Sequence, residues 1–213
     1  MKSFLIIGMS TFGAHLCKML TSLGSEVMIA DKNSETVEAM MRYAVSAKIA
    51  DCTNTDVLKS FGVDEFDACF VCLGDHFSET LEITFSLKEL GAKKVFSEVN
   101  RDIESKFLLR NGADRVVYPE YDLAQRIAVS ESNDSIFDAI ELTGGYCIYE
   151  ISTPRSWRGK TIRDLNIRQR HNLNIIATKK GEEIIPALSP EYVFCETDHL
   201  LVMGHIDDIN NVI

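Results

Sequence analysis

The sequence predicts an α/β fold, in which a doubly wound parallel sheet is followed by a small α+β lobe. The first observation is that six short apolar runs alternate with helical stretches over residues 3–130. Such alternation is typical of a parallel sheet with helices on both faces. The second observation is that strand patterns dominate after Glu131. We therefore expect two domains, residues 1–132 and residues 133–213.

The predicted strands and helices of the first domain follow one another in strict alternation. Strands are expected at residues 3–7, 27–30, 47–50, 68–73, 94–99 and 115–118. Helices are expected at residues 15–23, 34–43, 55–61, 78–90, 102–111 and 121–130. Ser34 and Asp102 are suitable residues to cap helices, and Gly91 and Gly112 stand where two of the helices end.

The second domain is predicted to be small and rich in strands. A polar segment at residues 130–135 is typical of a boundary or hinge. Strands are expected at residues 146–152, 175–179, 183–185 and 200–204, and short helices at residues 164–168 and 206–213. Lys180 and Gly181 predict a hairpin turn between two of these strands. A domain of this size with edge strands is often stabilised by pairing with a second copy.

The first strand, turn, helix and second strand form a pattern typical of nucleotide binding. Gly8 permits a tight turn, Gly13 permits close packing of helix and strand, and the helix N-terminus favours a phosphate. Asp31 follows the second strand, where it can bind both ribose hydroxyls and disfavour the 2′-phosphate of NADP. Ser10 replaces the usual middle glycine and can hinder a pyrophosphate. The first domain is thus predicted to be a Rossmann-like domain that binds a nucleotide. The alternative is a Rossmann-like turn that has lost its ligand.

Polar and small residues also follow other predicted strands of the first domain: Asp51, Cys52, Thr53, Gly74, Asp75, Glu98 and Glu120. The carboxyl ends of parallel strands lie at one edge of the sheet, and ligands of such sheets bind beyond that edge. A single acid in a loop more commonly serves solubility. Their shared placement predicts that the ligand site extends along this edge.

Composition excludes several classes of function. The net charge is −10 and no basic stripe is evident, so we expect no nucleic-acid partner. The apolar runs are too short to cross a bilayer, and the first is interpreted as a strand rather than a signal peptide, which predicts a soluble cytoplasmic protein. Most of the six cysteines lie in apolar segments, which indicates a reducing compartment. Cys69 and Cys72 have CxxC spacing, but residues three apart on a strand face opposite sides, so we expect a structural role.

The order of motifs along the whole chain resembles that of the KtrA/TrkA-type RCK family. Members of this family are cytosolic regulators of potassium uptake. The resemblance in the first domain rests on residues 6–13, Asp31, residues 50–53 and residues 118–120. The second domain is more telling, because residues 159–168 (GKTIRDLNIR) are similar to the GKTL-x-x-L-x-x-R segment of the family. The closing pattern of the family is followed by residues 174–177, Pro186, Pro190 and residues 198–204.

The resemblance implies a regulator that is not an enzyme. Such proteins assemble as homodimers into an octameric ring beneath a membrane potassium transporter subunit. The implied location is therefore cytoplasmic and peripheral to the inner face of the cell membrane. Nucleotide binding would change the shape of the ring, and the ligand would act through its different affinity for two ring states.

The resemblance also assigns roles to residues of the first domain. Asp31 would bind the adenosine ribose, residues 51–53 would line the adenine side, and residues 8–13 would meet the phosphates. The residues expected to bind an adenine nucleotide (ATP, ADP, AMP, NAD or NADH) are Gly8, Ser10, Thr11, Phe12, Gly13, Asp31, Lys32, Asp51, Cys52, Thr53, Gly74 and Asp75. The family motif often reads GxGRFG, and Thr11 replaces its arginine here. A bidentate phosphate contact of about 1.5–3 kcal/mol is therefore missing, and the sequence does not favour ATP over the other nucleotides.

Two further sites are implied by the resemblance. Glu120 matches a family glutamate linked to a divalent cation between subunits, although one carboxylate does not make a metal site. Some members bind cyclic di-AMP in the second domain, and the matching residues here are Asn166, Ile167, Arg168, Asn174, Ile175 and Pro190. The alternative is that both isoleucines belong to the core and that Arg168 forms a surface ion pair.

Two other functions stay open, an NAD-dependent oxidoreductase and an NAD(H)-binding redox sensor. An oxidoreductase needs a proton-transfer group in a substrate domain, and the histidines of the second domain show no triad or metal spacing. A candidate dimer contact is the apolar stripe formed by Ile127, Ile136, Phe137 and Ile140. The same stripe could equally face the core of its own chain.

Overall fold

The structure is a computed structural model that describes residues 1–186 and 188–213. These residues form two compact units, Met1–Tyr121 and Asp122–Ile213. In the two described ranges, no helix combines the length and the apolar character that crossing a membrane requires. The units divide within the helix Pro119–Glu131, and the predicted domain boundary after residue 132 stays a prediction.

The first unit contains a parallel sheet with helices between its strands, which confirms the predicted fold class. Its strands are β1 (Ser3–Ile7), β2 (Glu26–Asp31), β3 (Ser46–Ile49), β4 (Ala68–Val71), β5 (Val95–Glu98) and β6 (Arg115–Val117). Its helices are α1 (Thr11–Ser22), α2 (Ser34–Met40), α3 (Thr55–Ser60), α4 (Phe77–Glu89) and α5 (Asp102–Arg110), and the division between the two units falls within α6 (Pro119–Glu131). The strands lie in the order β3-β2-β1-β4-β5-β6. The chain adds strands outward on one side of β1 and then, from β4, on the other side. Ligands of such sheets bind at this switch point between β1 and β4.

The central strand β1 is buried on both faces of the sheet. Ile6 is paired with Ile29 on β2 and with Phe70 on β4. Leu5 and Ile7 belong to the core on one face, and Ile6 belongs to the core on the other. Helices cover both faces of a parallel sheet, so its strands are continuous apolar runs rather than alternating ones.

The second unit is an antiparallel sheet with short helices. Its strands are β7 (Ile136–Glu141), β8 (Tyr146–Ser152), β9 (Asn174–Lys180), β10 (Glu183–Pro186) and β11 (His199–His205), in the order β10-β9-β11-β8-β7. Its helices are α7 (Ile162–Leu165), α8 (Ile167–His171) and α9 (Ile206–Asn210). The core contains Tyr149, Trp157 and Phe194, all at most 2% exposed. The predicted hairpin is confirmed, because β9 and β10 pair next to Gly181.

Several predicted elements differ from the structure. Helix α1 begins at Thr11 rather than at residue 15, because the side chain of Ser10 caps it. The helix predicted at residues 164–168 is two helices, since Asn166 between them has a left-handed backbone with φ of 47°. Strand β7 was absent from the predicted strands. Its Ile136 is only 6% exposed and belongs to the core, whereas the other members of the predicted apolar stripe are about half exposed.

We expect Gly8→Ala to destabilise the protein more than Gly24→Ala does. Both glycines have φ near +80°, so both changes cost about 1–2 kcal/mol for a left-handed side-chain-bearing residue. A Cβ at Gly8 would overlap the Cys72 carbonyl group, whereas a Cβ at Gly24 meets nothing within 4 Å. The overlap adds about 1–3 kcal/mol to the loss. Urea unfolding of both variants measures the difference, and equal losses would contradict the close contact.

Candidate functional site

A cavity of about 270 Å³ lies at the carboxyl ends of β1, β2 and β4. Half of the residues predicted to bind a nucleotide line this cavity: Gly8, Ser10, Asp31, Lys32, Asp51 and Cys52. The other half lie outside its lining: Thr11, Phe12, Gly13, Thr53, Gly74 and Asp75. The first three of these form the first turn of α1, next to the cavity residue Ser10. We call this space the first cavity.

Sequence reasoning missed other polar residues of the first cavity: Asn33, Thr36, His76 and Glu79. Asn33 accepts a hydrogen bond from the backbone N–H of Thr36 at 3.2 Å, so it caps α2. An asparagine before a helix indicates a cap, and that signal carries no information about a ligand. His76 precedes α4 and Glu79 lies in its first turn, so both enter the cavity only through the placement of that helix.

Asp31 is held in one orientation at the end of β2. The backbone N–H of Met9 donates to its Oδ2 atom at 2.7 Å, and the N–H of Asn33 donates to its Oδ1 atom at 2.8 Å. Each carboxylate oxygen has more than one acceptor direction, so both remain able to accept further hydrogen bonds. A fixed carboxylate at this position can bind the two hydroxyls of a ribose.

Asp51 and Cys52 form the side of the first cavity that follows β3. The hydroxyl of Thr53 donates to Asp51 at 2.7 Å and its backbone N–H donates at 3.0 Å, and these bonds lower the pKa of Asp51. Burial, together with the charges of Asp51 and Asp31, raises the pKa of Cys52 to about 12. The thiol is therefore neutral at pH 7 and is a poor nucleophile. It supplies apolar surface to the cavity.

Lys32 and Glu79 form an ion pair between the two sides of the first cavity. The Nζ atom of Lys32 lies 3.0 Å from both carboxylate oxygens of Glu79. The hydrogen bond and the charge of Glu79 raise the pKa of Lys32. Among the described residues that line this cavity, Lys32 is the only lysine or arginine. The one permanent positive charge of the lining is thus already paired with a carboxylate.

The glycine turn is linked to a buried carboxylate on β5. The Oγ atom of Ser10 accepts from the backbone N–H of Gly13 at 3.1 Å, and its hydroxyl donates to Oε2 of Glu98 at 2.7 Å. The N–H of Gly74 donates to the same oxygen at 3.2 Å. Glu98 is only 4% exposed, and burial raises its pKa, although both hydrogen bonds act in the opposite direction. The side chain of Ser10 therefore makes two hydrogen bonds that a glycine at this position could not make.

A second cavity of about 330 Å³ lies in the same unit. Its lining includes Asp75, Asn100 and Glu120, and the side chain of Asn100 donates to Asp75 at 2.6 Å. Carboxylate and amide oxygens are suitable ligands for a hard cation. Within residues 1–186 and 188–213, however, no group of three His, Cys, Asp or Glu side chains could hold a metal ion. The role of Glu120 at a divalent cation stays a prediction.

A third cavity, of about 410 Å³, lies in the second unit. It is lined by all of the residues that the resemblance assigned to cyclic di-AMP: Asn166, Ile167, Arg168, Asn174, Ile175 and Pro190. The Nη2 atom of Arg168 donates to the side chain of Asn174 at 2.9 Å. Arg163 and Leu188 also line the cavity, and the sequence pattern did not identify them. Ile167 is buried in the core of the second unit, and the third cavity combines two arginines with apolar surface.

Comparison with known protein families finds two domains in the chain. The TrkA-N domain matches residues 4–119, and the TrkA-C domain matches residues 148–213. Ktr system potassium uptake protein C of Bacillus subtilis (strain 168) is 35% identical over 209 residues, which cover 98% of this chain and 95% of that protein. Ktr system potassium uptake protein A of the same organism is 35% identical over 208 residues, which cover 98% and 94%.

Solved structures show the same fold at low sequence identity. The crystal structure of the GsuK RCK domain has a TM-score of 0.66 at 18% identity and covers 98% of this chain and 46% of its own. The GsuK channel bound to NAD has a TM-score of 0.69 at 19% identity and covers 97% of this chain and 38% of its own. Both similarities confirm a parallel sheet with helices followed by a small antiparallel lobe.

Proposed function

Since this chain belongs to the family of proteins that join a TrkA-N domain to a TrkA-C domain, we propose that it is a nucleotide-binding regulatory subunit of a membrane potassium uptake system. The observation that carries the proposal is the 35% identity to two Ktr system potassium uptake proteins over nearly their whole length, in a chain that matches the TrkA-N and TrkA-C domains in order. In this proposal the protein is a cytoplasmic regulator without catalytic activity of its own. It acts at the inner face of the membrane through its transporter partner.

The first cavity is the proposed nucleotide site. Asp31 supports this assignment, because two backbone N–H groups hold its carboxylate where a ribose would lie. The neutral Cys52 and the backbone around Asp51 would flank the adenine. The N–H groups of Thr11 and Phe12, at the start of α1, would face the phosphate. The candidate ligands are ATP, ADP, AMP, NAD and NADH.

Regulation by such a site is a shift between two states of an assembly. A nucleotide can open or close a transporter only by binding one state more tightly than the other. The Lys32–Glu79 pair joins the two sides of the first cavity, so a ligand between them would change the distance that this pair sets. We propose that this change alters the shape of an octameric ring of homodimers, and that the ring acts on the pore.

The second unit offers apolar surface for the proposed assembly. Ile127, Phe137 and Ile140 are 53%, 45% and 50% exposed, respectively. Exposed apolar side chains of this size on neighbouring elements are commonly covered by a partner. We propose that a second copy of the chain covers them.

The third cavity is a proposed second-messenger site. Arg168 can donate two hydrogen bonds to a phosphate, and Ile175 and Pro190 are apolar surfaces suited to a purine. We propose that cyclic di-AMP binds there and acts on the same two-state assembly. A divalent cation at Glu120 is a further proposed ligand, and it depends on oxygen donors beyond this single carboxylate.

We expect an adenine nucleotide to raise the melting temperature of the wild-type protein, and Asp31→Ala to abolish this effect. At a hundredfold excess over its dissociation constant, a ligand stabilises the folded state by about 2.7 kcal/mol, which is about 5–10 °C for a chain of this size. The change in melting temperature is measured by thermal unfolding with adenosine, AMP, ADP, ATP, NAD and NADH in turn.

The matched control for Asp31→Ala is Asp56→Ala. Asp56 carries the same charge, and its side chain is 86% exposed and outside the first cavity. Asp56→Ala should respond to the nucleotide as the wild type does. The nucleotide site would be wrongly placed if Asp31→Ala were stabilised as much as the wild type, or if both variants lost the response equally.

We expect Arg168→Ala to weaken the binding of cyclic di-AMP by about tenfold or more, because a charged hydrogen bond to phosphate is lost. Arg170→Ala is the control, since Arg170 lies on the same helix but outside the third cavity. Isothermal titration calorimetry measures both affinities. Equal affinities of the wild type and Arg168→Ala would remove the proposed site.

A further inference from the structure

The position of Glu98 creates a conflict with a phosphate at the glycine turn. In this fold the phosphate of a nucleotide lies against the turn and the first turn of the following helix. The hydroxyl of Ser10, which belongs to that turn, donates to Oε2 of Glu98 at 2.7 Å. A phosphate bonded to the turn would therefore lie within about two hydrogen-bond lengths, roughly 6 Å, of a buried carboxylate.

Glu98 also occupies donors that a phosphate would use. The hydroxyl of Ser10 and the N–H of Gly74 both donate to its Oε2 atom. The N–H of Gly13 is bonded to Oγ of Ser10, so the serine satisfies this donor of α1 as well. An anionic ligand would have to replace these bonds while facing the charge of Glu98. The carboxylate of Glu98 thus already accepts the hydrogen bonds that a phosphate at the turn would accept.

The surroundings of Glu98 do not offset its charge. The other charged groups that affect its titration, Asp75 and Glu120, are carboxylates and raise its pKa. The one lysine of the first cavity, Lys32, is bonded to both oxygens of Glu79. In the described lining of that cavity there is no arginine. The carboxylate of Glu98 would therefore repel a phosphate at the turn. The carboxylate of Asp31, at the other end of the proposed site, can instead accept hydrogen bonds from the ribose hydroxyls.

We infer that Glu98 makes the first cavity selective for adenine ligands of low phosphate charge, so that adenosine and AMP bind in preference to ADP and ATP. This inference rests on the proposed nucleotide site and names its class of ligand. Ser10 is the positioning residue of the device, since its hydroxyl holds the carboxylate against the turn. The physical basis is repulsion between unit charges a few ångströms apart in a partly buried site.

The test is calorimetric titration of the wild type and Glu98→Gln with adenosine, AMP, ADP and ATP, in buffer with EDTA. Glutamine keeps the shape of the side chain and an oxygen that can accept from Gly74, and it removes the charge. We expect the affinity of the wild type to fall from AMP to ATP. We expect Glu98→Gln to bind ATP about tenfold more tightly than the wild type, and adenosine within about twofold of it.

The control is Glu89→Gln, which removes the same charge from an exposed site at the end of α4. It should leave all four affinities as in the wild type. Equal effects of Glu98→Gln on adenosine and ATP, or tighter binding of ATP than of adenosine by the wild type, would overturn the inference. The wild-type series alone decides the matter if Glu98→Gln does not fold.

Failure of the nucleotide site gives a different result from failure of this inference. If neither protein bound any of the four ligands, the proposed site and this inference would both be overturned. If all four bound, and binding was lost in Asp31→Ala, the site would stand. The inference would then be overturned by an affinity series that did not respond to the charge of Glu98, or by tighter binding of ATP than of adenosine by the wild type.

Discussion

The close approach of the glycine turn to the end of β4 is the constraint on which the first unit depends. The N–H of Gly8 donates to the carbonyl of Ala30 on β2 at 2.8 Å, and the N–H of Ser10 donates to the carbonyl of Cys72 after β4 at 3.2 Å. These bonds bring the turn against both neighbours of β1 at once. Side chains at Gly8 or Gly13 would overlap the backbone or side chain of Cys72. The absence of a Cβ is therefore what allows a cavity to form at the switch point of the sheet.

The same constraint sets the charges and hydrogen bonds that the proposed nucleotide would meet in the first cavity. The turn brings the N–H of Met9 to the carboxylate of Asp31, the group that we propose binds the ribose, and fixes its position. It also brings the hydroxyl of Ser10 to Glu98, which places a carboxylate beside the proposed position of the phosphate. A glycine at position 10 could make neither the cap at Gly13 nor the bond to Glu98. One substitution in the turn thus changes both the start of α1 and the electrostatics of the site.

Much of the first unit could be predicted from the sequence, because its information is local. Apolar runs bounded by Gly8 and Asp31 reveal strands, and residues that follow parallel strands must meet at one edge of the sheet. The link between Ser10 and Glu98 could not be predicted, since 88 positions separate them and only the sheet order brings them together. Strand β7 escaped prediction because its register shifts after Ile136, which breaks the alternation of buried and exposed residues. The family resemblance supplied six of the residues that line the third cavity but neither Arg163 nor Leu188, and no spacing rule would have supplied the six.

In the proposed function, a nucleotide in the first cavity controls potassium movement through a partner. The most direct measurement is the flux of potassium into vesicles that contain the protein together with the membrane subunit of a Ktr-type system, with and without an adenine nucleotide. We expect the nucleotide to change the flux severalfold in the wild type, and we expect Asp31→Ala, bound to the same membrane subunit, to show the ligand-free flux in both conditions. A flux that the nucleotide changes equally in the wild type and in Asp31→Ala would contradict control through the first cavity.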